Sequence, residues 1–293
     1  QRSSTMMPAV RKWADPDGKG AMALSFRGAG WVALGASLAV LALARPVAAQ
    51  PPAEEIMAKS HLAMYYPGDD LRARVTMRLT SKAGGERLRE LTMTRRDLRE
   101  GGEQRYFIYF HRPPDVREMT FLVWKYPGKD DDRWLYVPAL KLVRRIAASD
   151  KRSSFAGSDF SYEDVSGREP EEDTHKLLRE EKVAERSAWV VESIPKEPGS
   201  VDFGRKLSWV DKVTWLPLKE EYYDRRGELA RVFTAGELKE VQGFWTVTKR
   251  VMKNVQTGHW TEAVFTEVRY DQKLLPDLFS ERSLRAPPAE LTK

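Results

Sequence analysis

Four histidines, His61, His111, His175 and His259, are the side chains of this sequence best suited to proton transfer or metal binding. No two of them stand at the His-x-x-x-His spacing that places two imidazoles on one helix face. Gly157-Ser158-Asp159 offers a hydroxyl after a glycine but lacks the second glycine of a nucleophile elbow, and no histidine lies near it in sequence. Asp130-Asp131-Asp132 lacks the alternating spacing of a calcium loop and reads as a solvated hairpin tip. No glycine-rich phosphate cradle occurs, and cysteine is absent. The expectation is a protein that is not an enzyme, with no catalytic centre, no metal site and no cofactor.

What the sequence has in surplus is apolar and aromatic side chains, and the elements that carry them are strands. One amphipathic helix is predicted over 53–65, with Glu54 and Glu55 favouring its N-terminus and Pro67-Gly68 ending it. The period then falls to two: Val75, Met77 and Leu79 alternate with Arg74, Thr76, Arg78 and Thr80. Further strands are predicted at 88–97, 104–112, 118–126, 133–137 and 141–146. After a Ser/Gly/Asp-rich break they resume at 174–185, 187–195, 204–213, 216–224, 228–240, 244–256 and 259–271. Short glycine-containing turns join them, which makes an antiparallel meander. In the break, a short helix is predicted near 159–165 with Asp159 as its cap, Phe160 and Tyr162 pointing inward, and Glu163 helping to fix the loop.

Residues 31–44 form an apolar run of fourteen, too short to span a bilayer, which needs about 20 residues. Arg27 precedes it, and Val47 and Ala49 supply the small residues of a cleavage site. Residues 22–49 therefore read as a signal peptide, 1–21 as an upstream extension outside the natural protein, and 50–293 as one β domain exported to the periplasm. The net charge of +6 includes six Lys/Arg and two Asp/Glu in residues 1–49, which leaves 43 basic and 41 acidic side chains, interleaved, in 50–293. A nucleic-acid surface would need concentrated positive charge. No nucleic-acid partner is expected, and the protein is read as a monomer.

Phe155-Ala156-Gly157-Ser158-Asp159-Phe160-Ser161-Tyr162-Glu163-Asp164 resembles a motif of the outer membrane lipoprotein-sorting proteins, relatives of the periplasmic carrier LolA. The resemblance is to the branch whose genes accompany transporters of the RND superfamily. Trp134-Leu135-Tyr136-Val137-Pro138-Ala139-Leu140-Lys141 and Val143-Arg144-Arg145-Ile146 fit the same branch. It covers roughly residues 53–285. The resemblance implies a mostly β fold, a single antiparallel, unclosed β-barrel of LolA/LolB type, with the N-terminal and mid-chain helices as a lid. It implies lipoprotein or lipid cargo and an RND-type inner-membrane transporter as partner. In the carrier a buried arginine near the first strands latches the lid. Arg72, Arg74 and Arg78 lie in the comparable region, and no motif assigns the role to one of them.

Strands 104–112 and 118–126 are apolar on both faces, and few helices are available to cover the sheet. That shortage predicts a cavity for an acyl chain under helix 53–65. Its expected lining is Met57, Met64, Met77, Leu79, Leu91, Met93, Ile108, Leu122 and Trp124, with methionine supplying adaptable contacts. The competing reading is a periplasmic regulatory sensor that uses the same fold to bind a membrane-protein partner.

Overall fold

Glu54 and Glu55 put carboxylates at the positive end of helix α1 (Ala53–Tyr65), where they favour the helix dipole. Pro52 precedes the helix and supplies no side-chain cap. The computed structural model describes residues 50–292, so the 1–21 and 22–49 segments lie outside the described residues.

After α1 come six strands: β1 (Asp70–Thr80), β2 (Glu86–Asp97), β3 (Gln104–Arg112), β4 (Thr120–Lys125), β5 (Asp132–Val137) and β6 (Leu142–Ile146). Helix α2 (Tyr162–Ser166) lies in the break. Seven more strands follow: β7 (Asp173–Val183), β8 (Arg186–Pro195), β9 (Arg205–Asp211), β10 (Pro217–Tyr223), β11 (Leu229–Val241), β12 (Phe244–Asn254) and β13 (Trp260–Tyr270). Helices α3 (Glu281–Arg285) and α4 (Ala289–Thr292) complete the described residues.

All strands join one antiparallel sheet of 13, in the order β6-β5-β4-β3-β2-β1-β13-β12-β11-β10-β9-β8-β7. Pairing of β1 with β13 brings the two ends of the meander together in the middle of the sheet. Strands β6 and β7 are left as its two edges, so the barrel is not closed.

Both faces of β3 and β4 are apolar because both are covered. On one face Tyr106, Ile108, Phe110, Phe121 and Val123 join Val75, Met77, Leu91 and Met93 against Phe155 and Tyr162. On the other, Phe107, Tyr109, Leu122 and Trp134 pack against Leu278, Phe279, Leu284 and Leu291 of the C-terminal segment. Side chains alternate along a strand, so the two sets cannot share a face. Helix α1 sits on the other half of the sheet, with Ile56 and Met57 against Trp189, Val191 and Val210.

Ser161, not Asp159, caps α2. Its hydroxyl accepts from the Asp164 amide at 3.1 Å, and the Asp164 carboxylate accepts from the Ser161 amide at 2.7 Å. That reciprocal pair is a capping box. Asp159 instead ties the segment to β13: its carboxylate accepts from the Thr261 hydroxyl at 2.7 Å and lies 2.8 Å from Nδ1 of His259. Gly167 ends α2 at φ 81°, and a Cβ there would lie 2.7 Å from the ring of Tyr65. Glycine is thus required both by the backbone and by the approach of α1.

Replacing Ser161 with Ala should cost about 1 kcal/mol in urea unfolding, the usual worth of a lost cap. A neutral Ser161→Ala would mean that the box does not hold α2 in solution.

Candidate functional site

The concave side of the sheet holds a partly open cavity of about 140 Å³. One wall is apolar and comes mainly from β1, β2 and β3: Val75, Met77, Leu91, Met93 and Ile108. Phe155 and Phe160 of the mid-chain segment, Phe233 and Met252 of the later strands, and Met57 and Met64 of α1 continue it.

The opposite wall is charged. It carries Glu163, Asp164, Glu169, Asp173, Asp202 and Glu220, and each is matched by a cation. Glu163 lies 2.8 Å from Lys151, Asp164 3.0 Å from Arg231, and Glu169 2.7 Å from Lys125. Asp173 lies 2.9 Å from Arg168, Glu220 3.1 Å from Lys206, and Asp202 3.7 Å from Arg231. His61 of α1 faces the same wall, its Nε2 at 3.7 Å from Glu169. Burial, with Lys125 and Lys206 nearby, holds its pKa well below the histidine value of 6.5, so the imidazole is neutral. Among the described residues no group of three or more His, Asp or Glu is arranged to hold a metal ion.

The roof is α1, and its C-terminal end is fixed by Arg95 of β2. Arg95 is only 2% exposed. Its guanidinium donates to the carbonyls of Tyr65 at 2.8 Å, Pro67 at 2.8 Å and Gly68 at 2.7 Å. Asp97 sits 2.9 Å from Nε, and Gln104 bridges Asp97 and the Tyr65 carbonyl at 2.8 Å each. The helix has no basic residue in its last turn, so Arg95 supplies from β2 the positive charge that favours a helix C-terminus. Burial pushes the Asp97 carboxyl up to about 6, against the pull of Arg95.

Of the residues expected to line the cavity, Met57, Met64, Met77, Leu91, Met93 and Ile108 are on its wall. Leu79 is buried in the same apolar cluster without reaching the cavity. Leu122 and Trp124 are on the opposite face, where Leu122 packs under the C-terminal segment and the Trp124 indole donates to the Phe279 carbonyl at 2.8 Å. Strand register decides this: Phe121 and Val123 take the cavity side of β4. Within the 157–164 motif, Phe160, Ser161, Glu163 and Asp164 line the cavity, while Gly157, Ser158, Asp159 and Tyr162 do not. The arginines of β1 do not latch α1: Arg72 donates to the Glu290 carbonyl, Arg74 lies against His111, and Arg78 pairs with Glu86. Arg95 was missed because its partners are main-chain carbonyls, which leave no pattern in the sequence.

A family profile described as "uncharacterized protein" matches residues 102–286. No curated protein matches the chain. Among solved structures, an outer membrane lipoprotein-sorting protein domain from Vibrio parahaemolyticus is 31% identical over 80% of this chain and 98% of its own, with a TM-score of 0.74. A DUF1329 family protein from Desulfovibrio piger is 29% identical over 80% of this chain and 100% of its own, also at 0.74. A LolA superfamily protein from Nitrosomonas europaea is 18% identical over 80% and 99%, with a TM-score of 0.61, and shares the fold.

Two outcomes follow from the roof. Replacing Arg95 with Met removes the cation from buried partners and should destabilise the protein by roughly 3–5 kcal/mol, with the amides of α1 exchanging faster than those of β8. His61 has a depressed folded pKa, so its share of stability is present above 6.5 and is lost progressively as pH falls from there toward the folded value. The drop in thermal midpoint between about pH 7.5 and 5.5 should therefore be smaller in His61→Gln than in the native chain. Parallel curves would show that His61 titrates normally.

Proposed function

The chain belongs to the outer membrane lipoprotein-sorting family, and from that premise we propose that it is a non-enzymatic periplasmic carrier that holds an acyl chain of a lipoprotein or lipid in the cavity under α1. The observation that carries this reading is the roofed apolar wall of Val75, Met77, Leu91, Met93 and Ile108 beside a cavity of about 140 Å³. A folded protein would ordinarily fill such a space with side chains. Each methylene of a bound chain contributes about 0.8 kcal/mol when taken from water. Much of that is offset by ordering and by opening of the roof, which keeps the cargo releasable. Methionines at three wall positions, 77, 93 and 252, and at 57 and 64 of α1 suit chains of varied shape.

Handing the cargo to or from an RND-type inner-membrane transporter is part of the proposal. It is supported by the 157–164 motif, four of whose residues border the cavity.

The purified protein should bind a fluorescent fatty-acid probe reversibly at micromolar concentration. Leu91→Trp, which fills the apolar wall, should weaken binding by about tenfold or more, equivalent to about 1.4 kcal/mol. Leu122→Ala removes a fully buried side chain on the other face, so it should cost about 2–5 kcal/mol of stability and leave binding to the folded protein unchanged. Failure of any lipid probe to bind would remove the carrier reading and favour the protein-binding sensor.

A further inference from the structure

Arg250 is a half-buried cation on the cavity wall without a carboxylate partner among the described residues. Its recorded side-chain contacts are a hydrogen bond from Nε to the Val247 carbonyl at 3.4 Å and the face of Phe265, 4.3 Å from the guanidinium. The terminal nitrogens, four of its five N–H donors, have no hydrogen-bond acceptor among the described residues, and Arg250 borders both the cavity and a smaller pocket beside it. All six carboxylates of the cavity wall are already engaged by Lys125, Lys151, Arg168, Lys206 or Arg231.

The sheet leaves room at this point. Arg250 on β12 stands directly between Ala235 of β11 and Ala263 of β13. Cross-strand neighbours share a face, so two alanines flank the guanidinium where larger side chains would cover it. From the roof, Tyr65 of α1 also faces the cavity, and its hydroxyl has no hydrogen-bond partner among the described residues. The phenol and the guanidinium thus line the same cavity. Burial also lowers the pKa of Arg250, the mark of a charge held in a poorly hydrated place without a counter-ion.

We propose that Arg250 and the Tyr65 hydroxyl form a receptor for the oxyanion headgroup of a single-chain amphiphile, a carboxylate or a phosphate monoester, whose tail lies along the apolar wall. A guanidinium binds either group through two parallel N–H···O bonds. The tail has somewhere to go. From β12 the sheet runs through β13, β1 and β2 to Ile108 on β3, four steps of about 4.8 Å, or roughly 19 Å of wall. This inference rests on the carrier reading and narrows it to anionic lipids. A neutral ester or amide headgroup would leave Arg250 buried and unpaired.

The test compares anionic and neutral ligands of one tail. Parinaric acid and lysophosphatidic acid are the anionic probes; parinaric acid methyl ester and a monoacylglycerol are their neutral counterparts. The native protein should prefer the anionic member of at least one pair by about tenfold or more. Preference within the first pair identifies a carboxylate, within the second a phosphate. Arg250→Gln should bring the preference close to one, by weakening the anionic ligand and not the neutral one, and an unchanged circular-dichroism spectrum and thermal midpoint show that the variant is folded. Arg250→Lys should restore part of the preference. Equal affinity for charged and neutral ligands, or a preference that survives Arg250→Gln, overturns the headgroup receptor and leaves the carrier standing. If none of the four ligands binds, the carrier reading fails and this inference falls with it.

Discussion

Arg95 lies inside the protein with its guanidinium bound to the carbonyls of Tyr65, Pro67 and Gly68. A helix ends with carbonyls that its own backbone cannot satisfy, and burying them unpaired is costly. Here the solution comes from a neighbouring strand rather than from the helix. Asp97 and Gln104 hold the guanidinium in place, and Tyr106 donates to Gln104 in turn at 2.8 Å. The position of α1, and therefore the existence of a roofed cavity, depends on this cluster. The rest of the helix is held by Ile56 and Met57 against Trp189, Val191 and Val210 on the far half of the sheet. The helix thus joins parts of the sheet, β2 and β8–β9, that are not neighbours in the strand order.

A 13-stranded sheet that curls without closing has a second problem, its two edges. Between β6 and β7 in the chain come the short helices and turns of 147–172. Cations of the sheet anchor them: Lys125 of β4 reaches the Gly167 carbonyl at 2.7 Å, and Arg133 of β5, held by Asp131 at 2.6 Å, lies 3.5 Å from the Ser166 hydroxyl. Each of these cations is almost wholly buried. Such pairs add little net stability over an apolar core, but removing one partner is severe. Their effect is to fix where the segment sits, and so to set Phe155, Phe160 and the charged wall at the cavity.

Much of this was legible in the sequence. The predicted helix over 53–65 coincides with α1, and the strands fall within two residues of prediction at most ends, because alternation and glycine turns are local signals. The unclosed antiparallel fold also follows from those signals and from the resemblance. The assignment of Leu122 and Trp124 to the cavity failed for a physical reason. A strand apolar on both faces implies two covered faces, and the second cover was the C-terminal segment, with Leu278, Phe279, Leu284 and Leu291. The cap of α2 was within reach, since Ser161 and Asp164 stand at the spacing of a capping box. Arg95 and Arg250 were not. One acts on main-chain carbonyls about thirty residues away, and the other is defined by the carboxylate that it lacks; a sequence displays neither relation.

The two walls of the cavity divide the work of binding and release. The apolar wall contributes affinity in proportion to chain length and has no directional preference. Every carboxylate of the charged wall is paired with a cation, so that wall offers a tail nothing apolar; the terminal nitrogens of Arg250 have no acceptor among the described residues. A tail therefore has one favourable direction, away from the charged wall and toward β3. The latch differs from both walls. When α1 lifts, its carbonyls and the Arg95 guanidinium can exchange one set of hydrogen bonds for another with water, whereas parting an apolar seam exposes surface at about 25 cal/mol per Å². A roof closed at one end by hydrogen bonds can open there at modest cost while Ile56 and Met57 keep the other end in place. The two ends of α1 are thus held by different forces, hydrogen bonds from Arg95 beside Tyr65 and apolar packing at Ile56 and Met57.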